Sequence, residues 1–271
     1  MCFFGLGEAG TLLASDLVQA ETNVLAFDPA AVATPEGVTR FVHPALAARD
    51  ADLVIGVTAA ADATLSLLQS IEVIRQDAVY ADLSTGPPQL KADLAEYAAK
   101  RDLEFADVAL MSMVPGNGLA TPSMASGTGA ERYCEMINAL GGSAEALSGP
   151  PGTAAAKKLL RSVMMKGTAA VLIEAARAGA AFDDLEWLWS NLRNELEGAD
   201  DEWMRRLVTG SKTHAPRRKA EMEAAADMLE GLAVPSVMTQ ATIASLTELL
   251  DGDLPELPTL VEYPAPSHRS I

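Results

Sequence analysis

The sequence has little of what a disulfide scaffold, a metal site or a nucleic-acid-binding surface requires. Among 271 residues there are two cysteines and three histidines. Cys2 and Cys134 lie far apart and outside any CxxC or His/Cys cluster, which predicts reduced structural thiols in a reducing compartment and no metal site. Lysine and arginine number 20 against 37 acidic residues, a formal net charge of -17. Such a surface repels phosphate, so nucleic acid and anionic membranes are not expected as partners.

Long apolar runs are also absent. A glycine-rich loop begins at Gly5 and leaves no room for a secretory signal. The longest apolar candidate is interrupted by Lys166 and Glu174, so no run reaches the roughly twenty residues that a membrane helix needs. The sequence therefore predicts a cytoplasmic protein that does not associate with a membrane.

The first half of the chain alternates short apolar runs with amphipathic stretches. The pattern predicts strands at 2–4, 23–27, 53–57 and 78–81, and helices at 11–20, 61–74 and 87–101. Continuous apolar strands that alternate with helices are typical of a parallel sheet covered on both faces. Residues 1–150 are therefore predicted to form an α/β domain with a doubly wound parallel sheet.

The second half is rich in alanine, leucine, methionine and charged residues, and it follows a break at Pro150-Pro151-Gly152. Helical spacing predicts helices at 153–180, from 182–184 onward, and at 200–207, 216–229 and 235–250. Residues 151–271 are predicted to form an all-α domain that completes the active site.

The segment GLGEAG follows the first predicted strand and precedes the first predicted helix. This is the G-x-G-x-x-G arrangement of a Rossmann dinucleotide site, in which a tight turn, a close approach to the pyrophosphate and close helix–strand packing each require glycine. The free N–H groups of the helix then face the phosphates. The predicted cofactor contacts in this loop are Gly5, Leu6, Gly7, Glu8, Ala9 and Gly10.

Asp28 lies at the end of the second predicted strand, where a carboxylate accepts hydrogen bonds from the adenosine ribose. The alternative is a turn aspartate before Pro29. An acid here repels a 2′-phosphate, and the first cation that follows is Arg40. The sequence therefore favours NAD over NADP, with NADP left open if another loop supplies a cation.

Two later strand ends are predicted to border the nicotinamide, because ligands bind at the carboxyl ends of parallel strands. The residues concerned are Thr58 and Ala59 after one strand, and Ser84 and Thr85 in the segment DLSTG after the next. Ordinary turn chemistry accounts for the same residue types.

These motifs resemble the β-hydroxyacid dehydrogenase family, which includes 6-phosphogluconate and 3-hydroxyisobutyrate dehydrogenases. GLGEAGTLLASDL resembles its cofactor fingerprint, and DLSTG its nicotinamide-side strand end. The segment DVALMSMVP, from Asp107 to Pro115, lies where the family has its substrate segment, Asp-x-Pro-Val-Ser-Gly-Gly. It departs from that pattern, although Ser112 still offers a hydroxyl to the substrate. From Gly149 the chain follows G-x-x-G-x-G-x-x-x-K-x-x-x-N, with Ala154 in place of the third glycine and Ser162 in place of the asparagine.

The resemblance implies an NAD(P)-dependent oxidoreductase with Lys158 as the catalytic lysine, and a homodimer built through the helical domain. Beyond residue 175, KGTAAVLIEA and THAPRRKAEMEA resemble a phosphogluconate-dehydrogenase-like subgroup whose C-terminal helical domain has no assigned function.

A lysine general acid/base takes the hydroxyl proton during oxidation and returns it during reduction, provided that its pKa falls from about 10.4 toward the working pH. Lys157 is the rival of Lys158, and adjacent helical positions point about 100° apart, so only one of them faces the site. Ser162 shares a helix face with Lys158 and is predicted to bind the same substrate group. A lysine pair that solvates a helix end is the alternative interpretation.

Further basic residues are candidates for binding an anionic substrate. Lys166 interrupts an apolar stretch, and the segment KTHAPRRK (212–219) contributes His214 and Arg217. The alternative for this segment is a solvated helix start paired with Glu221 and Glu223.

Three functions follow from these observations. The first is transfer of a hydride between the cofactor and a small hydroxy acid or a related polar alcohol or ketone. The second is C=N reduction, as in imine reductases, which usually lack the lysine. The third is dinucleotide binding or sensing without catalysis.

Overall fold

The computed structural model describes residues 1–31 and 33–258. The chain divides into two compact units, the first from Met1 to Val163 and the second starting at Met164. The sequence places the domain boundary after residue 150, before the long helix Thr153–Ala181, whereas the division between compact units falls within that helix. The difference arises because the first turns of the helix make their hydrogen bonds with the sheet unit.

The first unit is built on one eight-stranded sheet with the strand order β3-β2-β1-β4-β5-β6-β7-β8. All neighbouring strands are parallel except β6 and β7, which are antiparallel. The strands are β1 (Cys2–Phe4), β2 (Val24–Phe27), β3 (Val38–Phe41), β4 (Leu53–Gly56), β5 (Val79–Asp82), β6 (Glu104–Leu110), β7 (Ser123–Ser126) and β8 (Ala144–Ala146).

Helices and their apolar side chains cover both faces of this sheet. The helices of the first unit are α1 (Glu8–Gln19), α2 (Pro44–Ala48), α3 (Ala63–Leu68), α4 (Pro88–Ala99) and α5 (Ala130–Asn138), with 3₁₀ turns at Ala60–Asp62 and Gly118–Ala120. Successive side chains of β1 point to opposite faces of the sheet. Phe3 therefore belongs to one buried apolar cluster, and Cys2 and Phe4 belong to the other. The predicted Rossmann-type fold followed by helices is confirmed.

The sheet extends further than the sequence pattern predicts. Strands β3, β6, β7 and β8 and helices α2 and α5 were not predicted. β3 and β8 are short and contain no fully buried residue, because each forms one edge of the sheet. The antiparallel pair β6–β7 also departs from an all-parallel sheet.

The second unit is helical. It contains the end of α6 (Thr153–Ala181) and α7 (Leu185–Glu197), α8 (Asp201–Thr213), α9 (Ala215–Gly231) and α10 (Val237–Asp251). Among the described residues, no helix combines the length and apolar character needed to cross a membrane. The last part of the predicted 151–271 domain, residues 259–271, lies outside the described residues.

Both cysteines are unpaired and buried. Burial raises the pKa of the Cys2 thiol to about 12 and that of Cys134 to about 11. Since the thiolate is the reactive form, both are unreactive structural thiols at neutral pH.

Glu174 of α6 fixes the start of α10. Its carboxylate accepts hydrogen bonds from the backbone N–H groups of Met238 and Thr239, both at 2.8 Å, and from Thr239 Oγ1 at 2.7 Å. Burial acts to raise the pKa of this carboxyl, but these donors outweigh it and hold the pKa below its ordinary value. The side chain therefore caps α10 from another helix.

We expect the substitution Glu174→Gln to lower the free energy of unfolding at pH 7 by about 1 to 2 kcal/mol, because a charged acceptor is exchanged for a neutral one. A carboxyl with a lowered folded pKa contributes stability above its unfolded pKa of about 4.3, and that contribution is lost as the pH falls through the folded pKa. The difference between wild type and variant will therefore shrink below pH 4.3. Urea unfolding from pH 7 to pH 3, followed by circular dichroism, measures it, and a difference independent of pH would contradict the capping role.

Candidate active site

The glycine-rich loop connects β1 to α1 with very little space between backbone segments. Gly5 has φ of +103°, and a Cβ added there would lie 2.3 Å from the carbonyl oxygen of Val57. A Cβ on Gly10 would lie 2.1 Å from the carbonyl oxygen of Gly5. A Cβ on Gly7, in contrast, would meet no atom within 4 Å. The backbone at Gly5 and Gly10 is thus packed against protein, whereas that at Gly7 faces open space.

A cavity of about 380 Å³ opens beside this loop at the carboxyl ends of β1, β2 and β4. Its lining includes Gly5, Gly7, Asp28, Thr58 and Ala59. Of the remaining loop residues, Leu6 and Gly10 are buried, Ala9 is half-buried and Glu8 is exposed.

Three observations test whether these residues fit a dinucleotide. Gly7 is the N-cap of α1 and, in the part of the chain that the structure describes, no side chain caps this helix. The Thr58 hydroxyl oxygen is buried without a hydrogen-bond partner, and Thr58 lines the cavity. Uncapped helix N–H groups bind phosphate, and a buried orphan hydroxyl is suited to a polar ligand. The residues therefore fit the cofactor.

Asp28 ties the loop to the end of β2. Its Oδ2 accepts a hydrogen bond from the N–H of Leu6 at 2.6 Å, and its Oδ1 accepts from Ala30 at 2.7 Å and Ala31 at 3.0 Å. Arg40 donates from Nη1 to the carbonyl oxygen of Ala31 at 2.6 Å. Asp28 thus forms the turn foreseen as the alternative interpretation, and it also lines the cavity.

A second group of residues surrounds the carboxyl end of β5. Ser84, Thr85 and Lys158 line one small pocket with residues of β6 and α6. Lys158 donates a hydrogen bond from Nζ to Thr85 Oγ1 at 3.0 Å. Lys157 is exposed, Lys158 and Ser162 are half-buried, and Ser112 is exposed. The structure thus brings Lys158 to the strand end that the sequence predicts beside the nicotinamide.

Beneath this pocket lies a buried cation that sequence reasoning missed. Lys91 of α4 is 0% exposed. Its Nζ forms an ion pair with Asp82 Oδ2 and donates to the carbonyl oxygens of Asp82 at 3.0 Å and Ser84 at 2.8 Å. Its spacing in the sequence could have revealed it, because Lys91 lies on the same buried face of α4 as Leu94 and Ala98.

Asp107 of β6 is the partner of Lys91 on the other side. Asp107 Oδ1 lies 3.6 Å from Lys91 Nζ, and both side chains are 0% exposed. Asp107 Oδ2 accepts hydrogen bonds from Ser126 Oγ at 3.1 Å, from the N–H of Gly152 at 2.9 Å and from the N–H of Ala155 at 3.1 Å. The sequence placed Asp107 in a substrate segment, whereas its carboxylate caps α6.

The other predicted substrate residues lie in the second unit. Lys166 and His214 are exposed, and Arg217 lies 3.7 Å from Glu221 in an exposed ion pair. In the rest of the basic segment, Lys212 Nζ donates to the carbonyl oxygen of Leu249 at 2.8 Å. Of the described residues, no group of three or more His, Cys, Asp or Glu is placed to hold a metal ion.

Comparisons with known proteins identify the family of the first unit. A family model described as the NAD binding domain of 6-phosphogluconate dehydrogenase matches residues 1–141. A second, described as a domain of unknown function (DUF1932), matches residues 180–249. None of the curated proteins compared with the chain matches it.

Several solved structures share the fold along most of their length. A conserved hypothetical protein from Sinorhizobium meliloti 1021 is 27% identical, with a TM-score of 0.60 and coverage of 94% of this chain and 90% of that one. A conserved protein of unknown function, described as structurally similar to 3-hydroxyacid dehydrogenases, is 28% identical, with a TM-score of 0.57 and coverage of 92% and 96%. An imine reductase from Myxococcus stipitatus in complex with NADP+ is 17% identical, with a TM-score of 0.77 and coverage of 91% and 92%. The last of these likenesses shows the fold alone.

Proposed function

The chain belongs to the family of the NAD-binding domain of 6-phosphogluconate dehydrogenase, and from this premise we propose that it transfers a hydride between a nicotinamide cofactor and a small hydroxy acid or related polar alcohol or ketone. The observation that carries the proposal is the hydrogen bond between Lys158 Nζ and Thr85 Oγ1, 3.0 Å long, at the carboxyl end of β5. It places an amine at the strand end where ligands of such sheets bind.

In the proposed reaction, Lys158 moves the proton. When bound, the nicotinamide accepts or donates the hydride. During oxidation, the substrate hydroxyl gives its proton to the neutral amine of Lys158 while the carbon–hydrogen bond breaks and the carbonyl forms; during reduction, the ammonium returns that proton to the oxygen. Thr85 accepts from Nζ and so orients the lysine.

For the cofactor, we propose NAD in preference to NADP. Asp28 Oδ1 already accepts two N–H groups and Oδ2 accepts one, and a carboxylate oxygen accepts about two. Oδ2 therefore retains capacity for one ribose hydroxyl. A carboxylate at this position repels a 2′-phosphate, while Arg40, bound to the same turn, is the cation that would moderate the preference.

We further propose a homodimer that forms through the helical unit. Large apolar side chains are exposed in this unit, among them Phe182 and Trp187 at 63% and Val237 at 70%. An apolar cavity of about 430 Å³ lies between α6, α7, α9 and α10. Apolar surface of this kind is typical of subunit interfaces. Ser112, Ser162, Lys166, His214 and Arg217 remain proposed substrate ligands.

The test is a turnover assay of the purified protein with NAD and with NADP against 2- and 3-hydroxy acids, sugar acids and cyclic imines. We expect absorbance changes with at least one hydroxy acid, and a lower KM for NAD than for NADP. If the protein turns over only imines, its function is C=N reduction, the reaction for which an imine reductase of the same fold is named. Tight cofactor binding without turnover would favour a sensor, and failure to bind either dinucleotide would refute the proposal.

A further inference from the structure

The buried ions beneath Lys158 form one connected cluster of one cation and two carboxylates. Lys91, Asp82 and Asp107 are all 0% exposed. Lys91 Nζ contacts Asp82 Oδ2 and lies 3.6 Å from Asp107 Oδ1. Isolating three charges from water is costly, and apolar replacements of buried ion pairs are often at least as stable. Stability alone therefore does not account for this cluster.

One side of the cluster holds the strand end that carries Thr85. Lys91 directs its donors at the carboxylate and carbonyl oxygen of Asp82 and at the carbonyl oxygen of Ser84. Ser84 Oγ also donates to Asp82 Oδ2 at 2.7 Å. Asp82 and Ser84, which lie three residues and one residue before Thr85, are thus held by one ammonium group and its carboxylate.

The other side of the cluster holds the helix that carries Lys158. Asp107 Oδ2 accepts the N–H groups of Gly152 and Ala155, and Ser126 Oγ, which donates to Asp107, accepts the N–H of Ala154 at 3.1 Å. The first turn of α6 is therefore capped by side chains from β6 and β7. The formal charge of the cluster is -1, which the positive end of a helix dipole stabilises.

We propose that Lys91, Asp82 and Asp107 are positioning residues that set the contact between Lys158 and Thr85. The two partners of that contact lie on α6 and on the β5 turn, and each segment is fixed to the same three ions. Loss of the cluster will let the helix start and the turn move independently, so the 3.0 Å contact will be lost in a folded protein. The role in catalysis rests on the proposed function, whereas the role in positioning does not.

The test compares Lys91→Met with wild type and with Arg101→Met as the matched control. Arg101 follows the same helix and lies 3.0 Å from Glu72 in an exposed ion pair. Each protein is treated briefly with N-hydroxysuccinimide acetate, and mass spectrometry gives the acetylation of Lys158 relative to exposed Lys157 in the same peptide. We expect this ratio to rise about fivefold in Lys91→Met, the factor that loss of one hydrogen bond produces, and to stay unchanged in Arg101→Met.

Asp107→Asn is the second variant, and it decides the question if Lys91→Met does not fold. It preserves the shape but replaces a charged oxygen that accepts three donors, so the acetylation ratio will rise here too. The kcat of both variants will fall about 10- to 100-fold, as expected for a misplaced catalytic group, with the dissociation constant for the dinucleotide unchanged. An unchanged ratio in a folded variant would overturn the proposal. If wild type turns over no substrate, the proposed function fails. The acetylation ratio of Lys158 to Lys157 still decides whether the cluster positions Lys158.

Discussion

Replacement of Lys158 with methionine will lower kcat by about 1,000-fold, because a general acid/base contributes 100- to 10,000-fold to such reactions. Methionine has a similar length and fills the half-buried space, but it neither takes nor returns a proton. The glycine-rich loop and Asp28 line a different cavity from Lys158, so the dissociation constant for the dinucleotide will stay within about twofold of the wild-type value. Steady-state kinetics and titration of nicotinamide fluorescence measure the two quantities.

Lys157→Met is the matched control for this substitution. It removes the same charge from the adjacent residue, whose side chain is exposed, and it will leave kcat unchanged. Full activity in Lys158→Met would remove this residue from the mechanism and direct attention to the other predicted basic residues, Lys166 and His214. Loss of activity in Thr85→Val, with Lys158 intact, would support the orienting role of the threonine hydroxyl.

The sequence predicts the central part of the sheet and the dinucleotide loop because their determinants are local. Buried parallel strands such as Leu53–Gly56 are continuous apolar runs, and the glycine spacing follows from contacts between adjacent segments. The edge strand Val38–Phe41 is partly exposed and carries Thr39 and Arg40. Its formation depends on pairing with β2, which no pattern within the segment shows.

The lower part of the candidate site depends on contacts between residues distant in sequence. Asp107 caps a helix that starts 46 residues later, at Thr153, so the usual search for a capping side chain just before the helix does not find it. Lys91 has the residue type of a solvated helix lysine, and only its position on the buried face of α4 indicates otherwise. For Asp28, the sequence suggests a turn residue and a cofactor ligand as alternative roles. In the structure the same carboxylate both forms the turn and lines the cavity.

The glycine-rich loop allows cofactor binding and folding to be separated by two single substitutions. A methyl group at Gly10 would lie 2.1 Å from the carbonyl oxygen of Gly5, which forces α1 away from the loop. We expect Gly10→Ala to lower the free energy of unfolding by about 3 kcal/mol, as other overpacking substitutions do. Urea unfolding monitored by circular dichroism measures this loss, and dinucleotide binding will weaken with it.

Gly7→Ala, in contrast, will weaken dinucleotide binding without lowering stability. Gly7 has φ of -66°, which alanine adopts without strain, and a methyl group there meets no protein atom within 4 Å. The free energy of unfolding will therefore change by less than about 0.5 kcal/mol. The methyl group will occupy the space in which the backbone approaches the pyrophosphate, so the dissociation constant for NAD will rise about 100-fold, equivalent to about 2.8 kcal/mol. If Gly7→Ala binds NAD as wild type does, the pyrophosphate does not lie against this loop, and the cavity beside it holds another ligand.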